Sequence, residues 1–309
     1  MPILDMRTER ALVAPKESVV TIGFFDGVHR GHRHLLSLAK RYAEEKGLPL
    51  LVFSFFGEGG PKKGDRLQSD KERAAALFEA GADAVAFADF SSLRALSPRA
   101  FVEEVLLDRY HAKAAFTGEN FRFGKGASGD AAQLSSLMAE KGRAAFAVPS
   151  LRFEGEAISS AFIKAVLSRG DCARAEAMLG YPYTLTLPVS HGDGRGAGLS
   201  FPTANQKERD GCFFPKEGVY VTLCRVGKEG KAYLGITDIG TRPTFAGQGR
   251  RIETHLLDFS GDLYEKDLSV SFCRFIRNEE KFASREALIA RLRKDEEEAR
   301  AWKASNGIN

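Results

Sequence analysis

Two histidines three residues apart, His29 and His32, bracket a glycine at position 31 within the run TIGFFDGVHRGHRHLL, Thr21 to Leu36. On a helix that spacing puts both imidazoles on one face. At a helix start they stand beside free backbone N–H groups and the positive end of the dipole, a corner suited to nucleotide phosphates. Gly23, Phe25, Asp26 and Gly27 make the turn that leads into the corner, and Gly31 lacks the side chain that would obstruct the rings. Taken alone, an HxGH match also fits an ordinary turn with two surface histidines. A strand before it and a helix after it make the longer motif specific.

A second set lies in the other half of the chain. In PTAN, Thr203 and Asn205 fall on the same side of an extended segment, where a hydroxyl and an amide carbonyl can ligate one Mg²⁺ bridging nucleotide phosphates. The stretch HGDGRGAG before it carries Gly192, Gly196 and Gly198, the composition of a loop folding over phosphates. Glu253 lies on an expected strand, Ile252 to Phe259. Alone, PTAN also reads as a proline-broken strand edge, and Glu253 as the cross-strand partner of a lysine or arginine.

The elements that must position these residues follow from periodicity and punctuation. Expected strands at Ser18 to Phe25, Leu50 to Phe56, Ala84 to Phe87 and Ala112 to Thr117 alternate with expected helices at Arg33 to Lys46, Asp70 to Ala80, Pro98 to Tyr110 and about Ala131 to Lys141. That order predicts an α/β fold with a doubly wound parallel sheet and ligands at the carboxyl ends of its strands. Two short helices, Ala161 to Ser168 and Asp171 to Leu179, precede a boundary expected near residue 183. Short β-branched segments then follow without helices (Tyr183 to Val189, Val219 to Val226, Ala232 to Ile239, Ile252 to Phe259, Leu268 to Phe275), predicting an antiparallel sheet or small barrel. A final helix presents Leu288, Ile289, Leu292 and Trp302 to the barrel, with the acidic run Asp295 to Glu298 expected on a solvated face. The domains are thus expected at 1–182 and 183–309.

Composition narrows the function classes. The chain has 309 residues, 43% hydrophobic and 28% charged, which suits two ordinary globular domains and excludes collagen-like, coiled-coil and disordered classes. A net charge of +4, spread along the chain, suits small anionic ligands better than a nucleic-acid track. The longest apolar run, Leu48 to Phe56, is too short and too broken to span a membrane, and MPILDMRTER lacks the marks of a signal peptide, so a cytosolic protein is expected. Cys172, Cys212, Cys224 and Cys273 form no CxxC pair and are expected as buried or idle thiols.

The longer motif resembles the HxGH nucleotidyltransferase superfamily, and its GxFDGxHxGHxxLL form is similar to the first domain of bacterial bifunctional riboflavin kinase/FMN adenylyltransferases, the FAD synthetases. TGENFRFGKGASGD, ISSAFIKAVLSRGD, LSFPTAN, GVY, IGTRPTF, IETHLLDFSGDLY and FASREALIARLRKD extend the resemblance, in order, over nearly the whole chain. It implies an adenylyltransferase domain followed by a riboflavin kinase barrel, with ATP and Mg²⁺ required, riboflavin, FMN and FAD as substrates and products, and neither nucleic acid nor membrane as partner; weak self-association stays open. It also implies that Glu253 is the general base toward the ribityl 5′-hydroxyl. His29 and His32 would bind the ATP phosphates and stabilise the departing pyrophosphate, with Asp26 and Asn120 placing magnesium or substrate. Arg122 and Lys125 are candidate phosphate contacts, Arg122 alternatively an internal ion pair, and Ser160 and Lys164 belong to the same nucleotide site. The chain departs from the family pattern in three places. ISSTRIR is here ISSAFIK, TFDPHP is Phe53 to Glu58, and GRxLGFPTAN is GAGLSFPTAN. Two alternatives therefore stand beside the bifunctional enzyme: a monofunctional riboflavin kinase with a degenerate first domain, and a flavin-binding sensor without turnover.

Overall fold

The computed structural model describes residues 3–5, 17–56, 65–190, 203–207, 211–227, 230–244 and 247–308. The chain divides into two compact units, residues 1–160 and 161–309.

In the first unit β1 (Ile3–Asp5), β2 (Ser18–Ile22), β3 (Leu50–Phe55), β4 (Ala84–Ala88), β5 (Ala112–Gly118) and β6 (Ala144–Val148) form one sheet in the order β1-β4-β3-β2-β5-β6, every pair parallel. All residues of β2 and β3 are buried, as central strands covered on both faces must be. Alternation sends Val20, Ile22, Leu51 and Phe53 into one core and Val19 and Val52 into the other, where they join Leu36 and Ala39 of the helix that follows β2. Consecutive crossovers run from β2 through β3 to β4, after which the chain returns to the far side of β2 to lay down β5. The switch point between β2 and β5 opens a crevice at their carboxyl ends.

Helix α1 (Arg30–Lys46) starts earlier than expected because His29 caps it, and Gly47, at φ 65°, ends it with its N–H on Ala43. Helix α2 (Asp70–Glu79) has a full capping box between Ser69 and Glu72. The helix expected from Pro98 to Tyr110 is α-helical only over Pro98–Ala100 and continues as a π-helix over Phe101–Arg109. The wider winding brings Phe101, Val105, Leu106 and Tyr110 to one buried side, and the Tyr110 amide reaches back to the Val105 carbonyl. Helix α3 (Ala131–Ala139) precedes β6, a strand the sequence reading passed over.

The second unit begins with α4 (Ser160–Leu167), whose first residue belongs to the preceding unit, and α5 (Cys172–Leu179). The division falls earlier than the boundary expected near 183. The connection between these helices packs on the barrel: Gly170 lies against the Phe275 ring, and the Leu167 carbonyl accepts from the Lys216 amide. Then β7 (Tyr183–Ser190), β8 (Ala204–Lys207), β9 (Gly218–Val226), β10 (Ala232–Thr244), β11 (Gly247–Leu256) and β12 (Asp267–Arg277) close an antiparallel barrel in the order β7-β8-β11-β10-β9-β12. The sixth strand, β8, begins with the last two residues of the PTAN motif, Ala204 and Asn205. Fully buried hydroxyls of Thr222, Thr237 and Thr254 satisfy one another at 2.9 and 3.0 Å.

Helix α6 (Arg285–Ser305) packs Ala299 and Trp302 against a cluster of Val219, Val221, Leu234, Ile236 and Leu257. One expectation fails here. Asp295 is not solvated; its side chain is 0% exposed, and it accepts from Arg277 at 2.8 Å and pairs with Arg291 at 3.1 Å. The acidic run reads as surface because sequence alone does not show the two cations that meet its first residue. All four cysteines are buried.

Candidate functional site

At the carboxyl ends of β2 and β5 a cavity of about 260 Å³ is lined by Gly23, Phe25, His29, Gly31, His32, Asn120 and Ser160, among others. The turn after β2 is strained: Phe25, Gly27 and Val28 all have positive φ, at 56°, 81° and 30°. Glycine at 23 lets the Phe25 ring pack close, since a Cβ there would lie 3.0 Å from it. His29 is buried, and its Nδ1 accepts from the His32 amide at 3.3 Å, so the Nε2 of the neutral ring carries the proton. The two imidazoles stack with centroids 3.6 Å apart, and Phe25 meets His32 edge-on. A side chain at 31 would press on the His29 ring at 3.2 Å, which accounts for the glycine between them.

An outer ring of polar contacts braces this turn. The Phe24 carbonyl accepts from Ser54 and from Arg73, a fully buried guanidinium that also donates to the Phe55 carbonyl. Burial draws Arg73 down to about 10, still protonated at neutral pH. Asp26 directs Oδ1 to the Leu67 amide at 2.9 Å and offers its carbonyl to Ser160 at 2.8 Å.

Among the expected residues, the structure gathers both histidines, Gly23, Phe25, Gly31, Asn120 and Ser160 on one cavity. Asp26 and Gly27 instead shape the turn. Arg122 pairs with Asp130 at 3.2 Å, the alternative weighed for it, and lines a shallow depression elsewhere. Lys125 is exposed and does not line the cavity, and Lys164 lies on α4 in the second unit. Phe121 and the segment from Val148 to Leu151 complete the wall. Val148 was missed because β6 is an alanine-rich edge strand with little alternation.

The second unit holds a cavity of about 320 Å³ between one side of the barrel and α6, lined by Thr203, Val219, Ile236, Asp238, Arg251, Glu253, Phe282, Leu288 and Leu292, among others. Period-two alternation places Arg251, Glu253 and His255 on this face of β11 while Ile252 and Thr254 point inward. Asn205 lies directly opposite Glu253 in the β8–β11 register. Gly192, Gly196 and Gly198 lie outside the described residues. Arg251 organises the acids: it holds Asp238 at 3.0 Å and both Glu253 and Glu279 at 3.5 Å. Burial, reinforced by Glu279, keeps the Asp238 carboxyl above the usual carboxylate range despite Arg251. Gly240 fits the arrangement because a methyl there would meet the Glu279 carboxylate. Arg251 and Asp238 were not singled out from sequence, where isolated charges on a strand read as surface.

The riboflavin kinase family model matches residues 179–303, and the FAD synthetase model residues 12–162. The bifunctional riboflavin kinase/FMN adenylyltransferase of Escherichia coli K12 is 36% identical over 297 residues, 94% of each chain. The chain belongs to the bifunctional riboflavin kinase/FMN adenylyltransferase family. Another family member, from Listeria monocytogenes, is 34% identical over 92% of each chain. A crystal structure described as a macrolide-efflux protein from Streptococcus pneumoniae has a TM-score of 0.88, covering 97% of this chain and 99% of that one at 28% identity. Among the described residues, no helix is long and apolar enough to cross a membrane. The FAD synthetase match contains every residue of the His29/His32 cavity, and the riboflavin kinase match every residue of the Glu253 cavity.

Proposed function

We propose that the barrel unit phosphorylates riboflavin and the parallel-sheet unit adenylylates the FMN so formed. The observation that carries the kinase reading is the placement of Glu253. It lies on a cavity with Thr203, beside an apolar wall of Ile236, Leu288 and Leu292 suited to a planar ring. Glu253 takes the proton of the ribityl 5′-hydroxyl as that oxygen bonds to the γ-phosphorus of ATP; the bond from γ-phosphorus to the bridging oxygen breaks and ADP leaves. Arg251, 3.5 Å from Glu253, holds the carboxylate on the substrate side. Thr203 and Asn205 supply the hard oxygen donors that Mg²⁺ favours, and the Asn205 amide nitrogen, turned to the Thr203 carbonyl at 3.4 Å, leaves its Oδ1 for the ion. Bound there, Mg²⁺ would neutralise charge on the nucleotide phosphates.

In the first unit the phosphate of FMN attacks the α-phosphorus of ATP and displaces pyrophosphate. A phosphate already mostly dianionic at neutral pH needs no general base, so His29 and His32 act by binding phosphates and stabilising charge. Both reactions use small molecules free in solution, and we place them in the cytosol.

Glu253→Gln tests the assignment. FMN formation should fall by about 10² to 10⁴, the usual worth of a general base, while riboflavin still binds and added FMN is still converted to FAD and pyrophosphate. Kinase turnover within about threefold of wild type would remove Glu253 from its role.

A further inference from the structure

Asp238 faces the same cavity as Glu253, one strand away, and half of its carboxylate has no assigned task. Its Oδ2 accepts from Arg251 at 3.0 Å, whereas Oδ1, buried, meets no hydrogen-bond donor among the described residues. A buried acceptor without a donor is costly and calls for an explanation. The register supplies one. In a single row across adjacent strands, Asn205 is opposite Glu253, Glu253 opposite Asp238, and Asp238 opposite Val219. Directly paired residues share a face, with Cβ atoms about 5 Å apart.

The row therefore runs from the proposed metal ligand, through the base, to Asp238, and then to an apolar position under α6. On the kinase reading, which this inference presupposes, the substrate must lie along that row in the same sense: phosphate-accepting hydroxyl at Glu253, ring against Val219, Ile236 and Leu292. Between its terminal hydroxyl and its ring, riboflavin carries only the hydroxylated ribityl chain. We infer that Asp238 Oδ1 accepts a hydrogen bond from a secondary hydroxyl of that chain and so selects flavins bearing the polyol over flavins lacking it. Arg251 fixes the carboxylate in this orientation by occupying Oδ2. A site built to hydrogen-bond a hydroxyl penalises a ligand without one, because the acceptor is then left buried and unpaired.

The test compares riboflavin with lumiflavin, which has a methyl group in place of the ribityl chain, by quenching of flavin fluorescence on titration with the full chain. In Asp238→Ala, riboflavin affinity should fall by about 10- to 100-fold, the worth of a hydrogen bond to a charged acceptor, while lumiflavin affinity stays within about twofold. Asp238→Asn preserves shape and should show the same selectivity with a smaller loss. Conversion of FMN to FAD by the same preparations, an activity of the other unit, checks that the chain is intact. Equal weakening of both ligands would mean that Asp238 contacts the ring or merely supports the fold, and an unchanged riboflavin affinity would mean that it contacts neither; either result overturns the inference. A wild-type chain that binds no riboflavin would instead defeat the kinase reading itself.

Discussion

Replacing Asp295 by alanine removes the anion that joins α6 to the barrel. The carboxylate is 0% exposed and accepts from Arg277 at 3.2, 3.1 and 2.8 Å, while Arg291 stands 3.1 Å away. Arg277 is itself only 10% exposed, so the substitution leaves a nearly buried guanidinium without its carboxylate. Breaking a buried pair in this way costs about 3–5 kcal/mol. At roughly 2–4 °C per kcal/mol for a unit of this size, the midpoint of the second unit should fall by about 6 to 20 °C. The sole tryptophan of the chain, Trp302, lies on α6 and packs on the barrel, so its fluorescence reads the undocking directly. A control sits on the same helix. Arg300 makes a two-pronged pair with Asp258 at 2.9 and 3.0 Å, but in solvent, and Asp258→Asn, which removes the charge and still suits the positive φ of 58° at this position, should leave the transition where it was. A loss below about 1 kcal/mol for Asp295→Ala, or a loss no larger than the control's, would refute the claim that this buried pairing secures the helix.

Two further outcomes follow from the geometry. His29→Asn keeps a good helix cap, so stability should hold within about 0.5 kcal/mol while FAD formation drops about 10²- to 10³-fold and riboflavin phosphorylation is unchanged; retained FAD formation, followed by pyrophosphate release, would reduce His29 to a cap. Burial pushes the thiols of Cys172, Cys224 and Cys273 up to about 12, so at pH 8 only about one in 10⁴ is a thiolate, and the native chain should resist a disulfide reagent until denaturant exposes all four cysteines; prompt reaction of any of these three thiols in the native chain would contradict their burial.

Much of this was legible beforehand, because strong local signals and global placement agreed. The strand before His29, the terminal glycine of α1, and the αβ alternation each follow from short-range physics, and so the first cavity lies where the motif pointed. What could not be read depended on contacts between distant segments. Asp295 is surface by composition and core by partnership. Arg122 has the charge for a phosphate, yet its nearest anion is Asp130. The acids around Arg251 come from β10, β11 and the segment after β12, brought together only by closure of the barrel. The π-winding of Phe101–Arg109 likewise reflects packing against the sheet rather than any propensity of its residues.

The left-handed geometry of Phe25 and Val28 carries a consequence for ligand design. Both side chains are buried, at 2% and 0% exposure, so the corner cannot relax to an easier backbone without exposing two apolar groups to water. An empty pocket should consequently keep the shape of a filled one. Stiff triphosphate mimics cut to that outline would lose little entropy on entering, whereas flexible scaffolds that rely on the protein to adapt would find no give in it.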